Sequence, residues 1–141
     1  MEVCNRASIL YFIKSDGGYM SKKYSDLGYL AGLFDAKGSL KIDNDSLLVW
    51  ITTEHFKVME FLQRFGAYIT KRPDGKFKAK WKDKYAGKIL KEMLPCLRVK
   101  YDQAEVGIEF CESKEQKLDP MDYVLPLQLR LRLIKKDEPE E

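Results

Sequence analysis

The chain has 141 residues, is 45% hydrophobic and carries a formal charge of +3. That is enough for one domain with a proper core, and too little net charge to name a partner. Three widely spaced cysteines (Cys4, Cys96, Cys111) and a single histidine, His55, argue against a zinc site. They argue for a reducing intracellular compartment: cytoplasm, nucleoid or organelle matrix. No 18-residue apolar run exists, which excludes a transmembrane helix and a membrane partner. The run Ile9–Ile13, interrupted by Lys14, is too short for a signal-peptide core.

Residues 1–20 read as an N-terminal extension, with a candidate strand at Ile9–Ile13 and a turn at Ser15-Asp16-Gly17-Gly18. Ser25 is a good N-cap and Asp26 suits a first turn, so a helix is expected over 25–36. On it Gly28 and Gly32 stand four apart, with Ala31 beside them. Such a face lets two helix backbones approach closely, here in a soluble core or dimer. Gly38 ends the helix. Strands follow at 38–44 and 46–54 around a tight turn at Asn44-Asp45. Phe56, Met59, Phe61, Leu62 and Phe65 have helical spacing, stopped by Gly66. Two more strands, 67–72 and 76–82, flank the turn Pro73-Asp74-Gly75. Helices are expected from Tyr85 to Leu94, ended by Pro95, and from Arg98 to Glu112.

The last segment reads two ways. Asp119-Pro120 is a good N-cap and N1 pair. Yet Leu125, Leu127, Leu129, Leu131 and Leu133 alternate with Pro126, Gln128, Arg130 and Arg132, as in a strand. A helix over 126–136 is preferred because leucine and arginine are strong helix formers. The order α-β-β-α-β-β-α-α-α makes a single α+β domain over 1–136, with 114–136 as a C-terminal segment and 137–141 as an acidic, solvated tail. No internal repeat is present.

Charge is unevenly placed. Seven basic and two acidic residues lie between Ala67 and Lys84. Read in period 2, one sheet face carries Leu40, Ile42, Val49, Ile51, Ala67, Ile69, Phe77, Ala79 and Trp81, which helices must cover. The other carries Ser39, Lys41, Asp43, Leu48, Trp50, Thr52, Tyr68, Thr70, Arg72, Lys76, Lys78, Lys80 and Lys82. Cations for phosphates and guanine, with Thr and Tyr for base edges, suit a DNA duplex. The bland alternative is a charged strand face that is merely solvated.

The nonamer Leu30-Ala31-Gly32-Leu33-Phe34-Asp35-Ala36-Lys37-Gly38 resembles the LAGLIDADG motif of the homing endonucleases. The likeness covers residues 28–113 and includes Phe65-Gly66. It also includes Leu97-Arg98-Val99-Lys100-Tyr101-Asp102-Gln103-Ala104, similar to the family's Leu-x-x-Lys-x-x-Gln-Ala pattern. The resemblance implies an αββαββα fold whose saddle-shaped antiparallel sheet, with helices on one face, sits in the major groove. It implies a homodimer through Gly28, Ala31 and Gly32, and hence a near-palindromic double-stranded site. It implies a magnesium-binding carboxylate at the eighth motif position, supported by Lys100 and by Thr53 at the end of the second strand. Here the eighth position is Lys37. An ammonium cannot ligate magnesium and repels it, so no metal or cofactor is expected. The reading is a site-specific DNA-binding protein that does not cleave. The alternatives are an active nuclease, using another acid or an intact partner subunit, and an intron RNA maturase.

Overall fold

The computed structural model describes the backbone of residues 17–137 and the side chains of residues 25–136. The expected strand at Ile9–Ile13 and the tail after Asp137 lie outside the described residues. The described elements are α1 (Gly17–Lys37), β1 (Gly38–Asp43), β2 (Ser46–Thr53), α2 (Phe56–Arg64), β3 (Tyr68–Lys71), β4 (Phe77–Lys82), α3 (Lys84–Met93), α4 (Tyr101–Glu115) and α5 (Pro120–Asp137). A short 3-10 turn, Leu94–Cys96, follows α3 at Pro95. The expected order therefore holds.

Three boundaries differ from the sequence reading. First, α1 begins at Gly17, so Ser25 sits inside the helix rather than capping it, and Gly17-Gly18 open the helix rather than form a turn. No proline or strong breaker stands between Tyr19 and Tyr24, so nothing stops the helix from propagating there. Second, α4 begins at Tyr101 rather than Arg98. The backbone of residues 98–100 is held by another contact, described below. Third, the last helix starts at Pro120, six residues earlier than expected. Asp119 Oδ1 accepts from the backbone N–H of Met121 at 3.0 Å, and Pro120 occupies the first turn, where its missing N–H costs nothing.

The four strands form one antiparallel sheet in the order β1-β2-β4-β3. Turn chemistry sets the register. Asn44 adopts φ 56° at the β1–β2 turn, and Gly75 adopts φ +89° at the β3–β4 turn, where its N–H reaches Arg72 O at 3.0 Å. Leu40, Leu47, Val49, Ile51, Ala79 and Trp81 are buried on the helix-covered face. Leu30, Ala31 and Phe34 of α1 and Ala104, Val106 and Phe110 of α4 close over them. Trp81 Nε1 donates to Phe65 O at 3.0 Å, tying the end of α2 to the sheet.

The strand-like leucines of α5 have a helical explanation. Residues two apart on a helix are about 200° apart around its axis, so strict alternation makes two opposite stripes. Tyr123, Leu127 and Leu131 are buried, while Met121, Leu125, Leu129 and Leu133 are exposed. The inner stripe packs against α4 and β1. Beside it, Gln128 Nε2 donates to Ile42 O at 2.8 Å, and Lys135 Nζ donates to Leu40 O. These two side chains cover outward carbonyls of β1, the edge strand, and so block pairing with a foreign strand.

Gly38 is fixed by packing. A Cβ there would stand 2.0 Å from Phe34 Cδ1, inside a fully buried ring. Gly38→Ala is expected to cost about 1–3 kcal/mol, read as a lower urea midpoint at an unchanged slope.

Candidate nucleic-acid interface

No described element covers the sheet face away from the helices. Register places its side chains in rows across the strands: Lys41–Leu48–Lys82, Ser39–Trp50–Lys80–Tyr68, and Thr52–Lys78–Thr70. Each strand residue expected on this face alternates with the buried set. Asp43 stands at the far end of β1, opposite Ser46. Arg72 and Lys76 close the β3–β4 ladder, with Arg72 N–H donating to Lys76 O at 2.7 Å.

Cations dominate this surface, and they are of three kinds. Lys78 Nζ stacks 4.7 Å above the Trp50 ring, a diagonal cross-strand pair that holds the ammonium over the middle of the sheet. Arg72 is tied at 3.4 Å to Asp74, with both side chains nearly half exposed. An exposed pair of this kind is weak and yields readily to a phosphate. Lys41, Lys80 and Lys82 make no ion pair with any described residue. Tyr68 is 67% exposed and offers an uncovered ring at the β3 edge.

The motif helix runs straight into β1, so Lys37 lies where the helical layer meets the edge of the sheet. Lys37 is exposed and forms no hydrogen bond or ion pair with a described residue. Its neighbour Asp35 is fully engaged. The Asp35 carboxylate accepts the backbone N–H groups of Arg98 at 2.8 Å, Val99 at 3.1 Å and Lys100 at 2.9 Å. Lys100 Nζ donates to Asp35 O at 2.9 Å, a cation on the carbonyl end of a helix. One carboxylate thus clamps a segment 63 to 65 residues away and sets Lys100 beside the end of α1. Arg98, given no role in the sequence reading, arrives with it. Its sequence signal was its place two residues before Lys100.

Thr53 ends β2, two residues beyond Ile51, which faces Gly38 across the β1–β2 ladder. It pairs with Phe77 on the helix-covered side, is buried, and its Oγ1 accepts the N–H of His55 at 3.1 Å. Gln103 and Ala104 of the downstream pattern are buried on the inner side of α4. Ala31 is also fully buried inside the chain. It therefore does not share the outer face of Gly28 and Gly32 and is corrected to a core residue. Residues 30 and 31 turn inward at helical spacing with Leu27 and Phe34, which leaves 28 and 32 outside.

No family model matches the chain, and no curated protein matches it. Solved structures do. The homing endonuclease I-CvuI in complex with its DNA target, in the presence of calcium, superposes with a TM-score of 0.68 at 18% identity, covering 84% of this chain and 88% of that one. I-CvuI with the I-CreI target and magnesium, a complex in which the DNA is not cleaved, matches equally well. The archaeal intron-encoded homing endonuclease I-Vdi141I, bound to DNA, gives a TM-score of 0.65 at 15% identity over 85% of this chain and 87% of that chain. This chain has the LAGLIDADG homing-endonuclease fold.

The divalent metal implied by that fold does not fit the residues here. Lys37 has no lone pair to give when charged. Both Asp35 oxygens are occupied by backbone donors. Cys111 offers no nucleophile either. Burial, helped by Asp83 and Glu115, pushes its thiol up to about 11.

Proposed function

We propose that this chain binds a specific double-stranded DNA site with the open sheet face, as a homodimer, and that it does not cut the DNA. The carrying observation is the face itself: rows of lysine, hydroxyl and aromatic side chains with no described element over them. The DNA-bound neighbours of the same fold support this reading. A helix-covered, purely structural sheet has no use for a half-exposed Trp50 stacked under Lys78. Lysines position the duplex through phosphates, while Thr52, Thr70 and Tyr68 are placed to meet base edges.

Binding is expected to fall steeply with salt. Each lysine that neutralises a phosphate adds about 0.9 to the slope of log affinity against log salt. Lys78→Ala and Lys80→Ala should each lower the slope by about one unit, in fluorescence anisotropy against the bound site. Unchanged affinity after charge reversal at both positions would show that this face does not contact DNA.

The dimer is proposed through the outer side of α1. A Cβ at Gly28 or Gly32 would meet nothing within 4 Å. Mid-helix glycine costs about 1 kcal/mol relative to alanine, and packing among the described residues gives no reason to accept that cost twice. Close approach of a second helix gives one. Tyr29, half exposed, and Leu33, half buried, flank the two glycines. Gly32→Leu should therefore leave the fold intact or firmer but raise the dimer dissociation constant at least about a hundredfold. Sedimentation equilibrium reads this directly, and an unchanged dimer would remove α1 as the interface.

A further inference from the structure

Among the described residues, nothing covers the outer face of α5. Met121 is 84% exposed, Leu125 59%, Leu129 46% and Leu133 63%. They recur every fourth residue, so they form one stripe about 18 Å long. Scattered exposed leucines are ordinary, but a contiguous stripe on one helix marks a surface that meets a partner. An apolar stripe of this kind has no complement in a phosphate backbone. It asks for another apolar helix.

Charges beside the stripe say which helix. Asp122 lies on this side near the N-terminal end of α5, and Arg132 and Lys136 near the C-terminal end. Neither Asp122 nor Arg132 forms an ion pair with a described residue. Arg130, by contrast, is already held by Glu109 at 3.2 Å. Arg132 lines a cleft with Lys41 and Lys135 that has no carboxylate among its walls. The pattern is self-complementary. A twofold axis midway between Leu125 and Leu129 sets Leu125 against Leu129 of a second copy, and Met121 against Leu133. It sets Asp122 against Arg132, twice by symmetry. A parallel pairing would instead bring like charges together.

We infer that α5 is a second self-association surface, through which two copies of this chain pair antiparallel about a twofold axis. It is distinct from the α1 face proposed above and rests on separate residues. A chain with both surfaces can join two DNA-bound dimers.

The test is sedimentation equilibrium on the full chain with circular dichroism as the fold control. Gly32→Leu is used to disable the α1 contact. In that background a monomer–dimer equilibrium is expected to persist. Leu125→Glu with Leu129→Glu should abolish it, with no loss of helical signal because both side chains point outward. Asp122→Arg alone and Arg132→Asp alone should each weaken it on the order of tenfold, and the two together should restore it. Restoration by the swap distinguishes a specific antiparallel pair from indiscriminate apolar sticking. Three results overturn the inference. They are a Gly32→Leu chain that is wholly monomeric, a dimer that survives the leucine substitutions, and single charge reversals that weaken DNA binding but not association. Failure of the α1 proposal reads differently: the parent dimer would then be lost on the leucine substitutions and survive Gly32→Leu.

Discussion

Given magnesium or manganese and a DNA site that it binds, the chain is expected to leave both strands intact, and Lys37→Asp or Lys37→Glu is expected to cut. The surrounding parts support this. Lys37 is exposed at the end of α1, so either carboxylate fits without repacking. Lys100 is already held at the same helix end by its bond to Asp35 O. Gly38 keeps the Phe34 ring packed beneath the junction. Loss of one essential charge-stabilising group costs about two to three orders of magnitude in rate, so the contrast between parent and variant should be plain as plasmid nicking or linearisation. The same change should weaken metal-free binding, because a cation near phosphates becomes an anion. Cutting by the parent would mean that another group supplies the metal site. Failure of both variants on a site they still bind would mean that more than position 37 has been lost.

How much of this could be read from the chain depended on the distance over which each feature is encoded. The sheet faces were legible because period 2 is local: Lys78 and Lys80 differ from Ala79 and Trp81 in parity alone, and turns at Asn44 and Gly75 set the register. The α1 face was half legible. Helical spacing separates residues 28 and 32 from 27, 30 and 34, yet small size grouped Ala31 with the glycines although its direction is inward. The α5 leucines were ambiguous because alternation on a helix also makes ordered stripes, and only packing against α4 and β1 decides which stripe is buried. The clamp at Asp35 left no local trace. Its donors are backbone N–H groups far along the chain, which carry no residue-type signal. Thr53 illustrates the same limit: its place at the end of β2 is a local signal, whereas the His55 N–H that its hydroxyl oxygen accepts carries no residue-type signal.

Asp35→Ala should be among the most destabilising single changes outside the buried core. Three backbone N–H groups, those of Arg98, Val99 and Lys100, lose their acceptor at once. Hydrogen bonds to a charged group contribute about 1.5–3 kcal/mol each, less where water can substitute. The Arg98 and Val99 bonds are exposed and the Lys100 bond is partly buried. A total loss of about 3 kcal/mol follows, most of it from the partly buried bond and from freeing the segment between Leu97 and α4. Urea denaturation measures it. Asp35→Asn tests the part due to charge, because the amide oxygen can still accept but only as a neutral group. It should fall between alanine and the parent. The functional consequence separates two roles for this residue. If Asp35 acts as a clamp, Asp35→Asn should weaken DNA binding through the displaced Lys100, and Lys100→Ala should reproduce that loss without further effect in the double variant. If the two losses add instead, Asp35 does not act through Lys100. Its carboxylate then contributes at the interface on its own account.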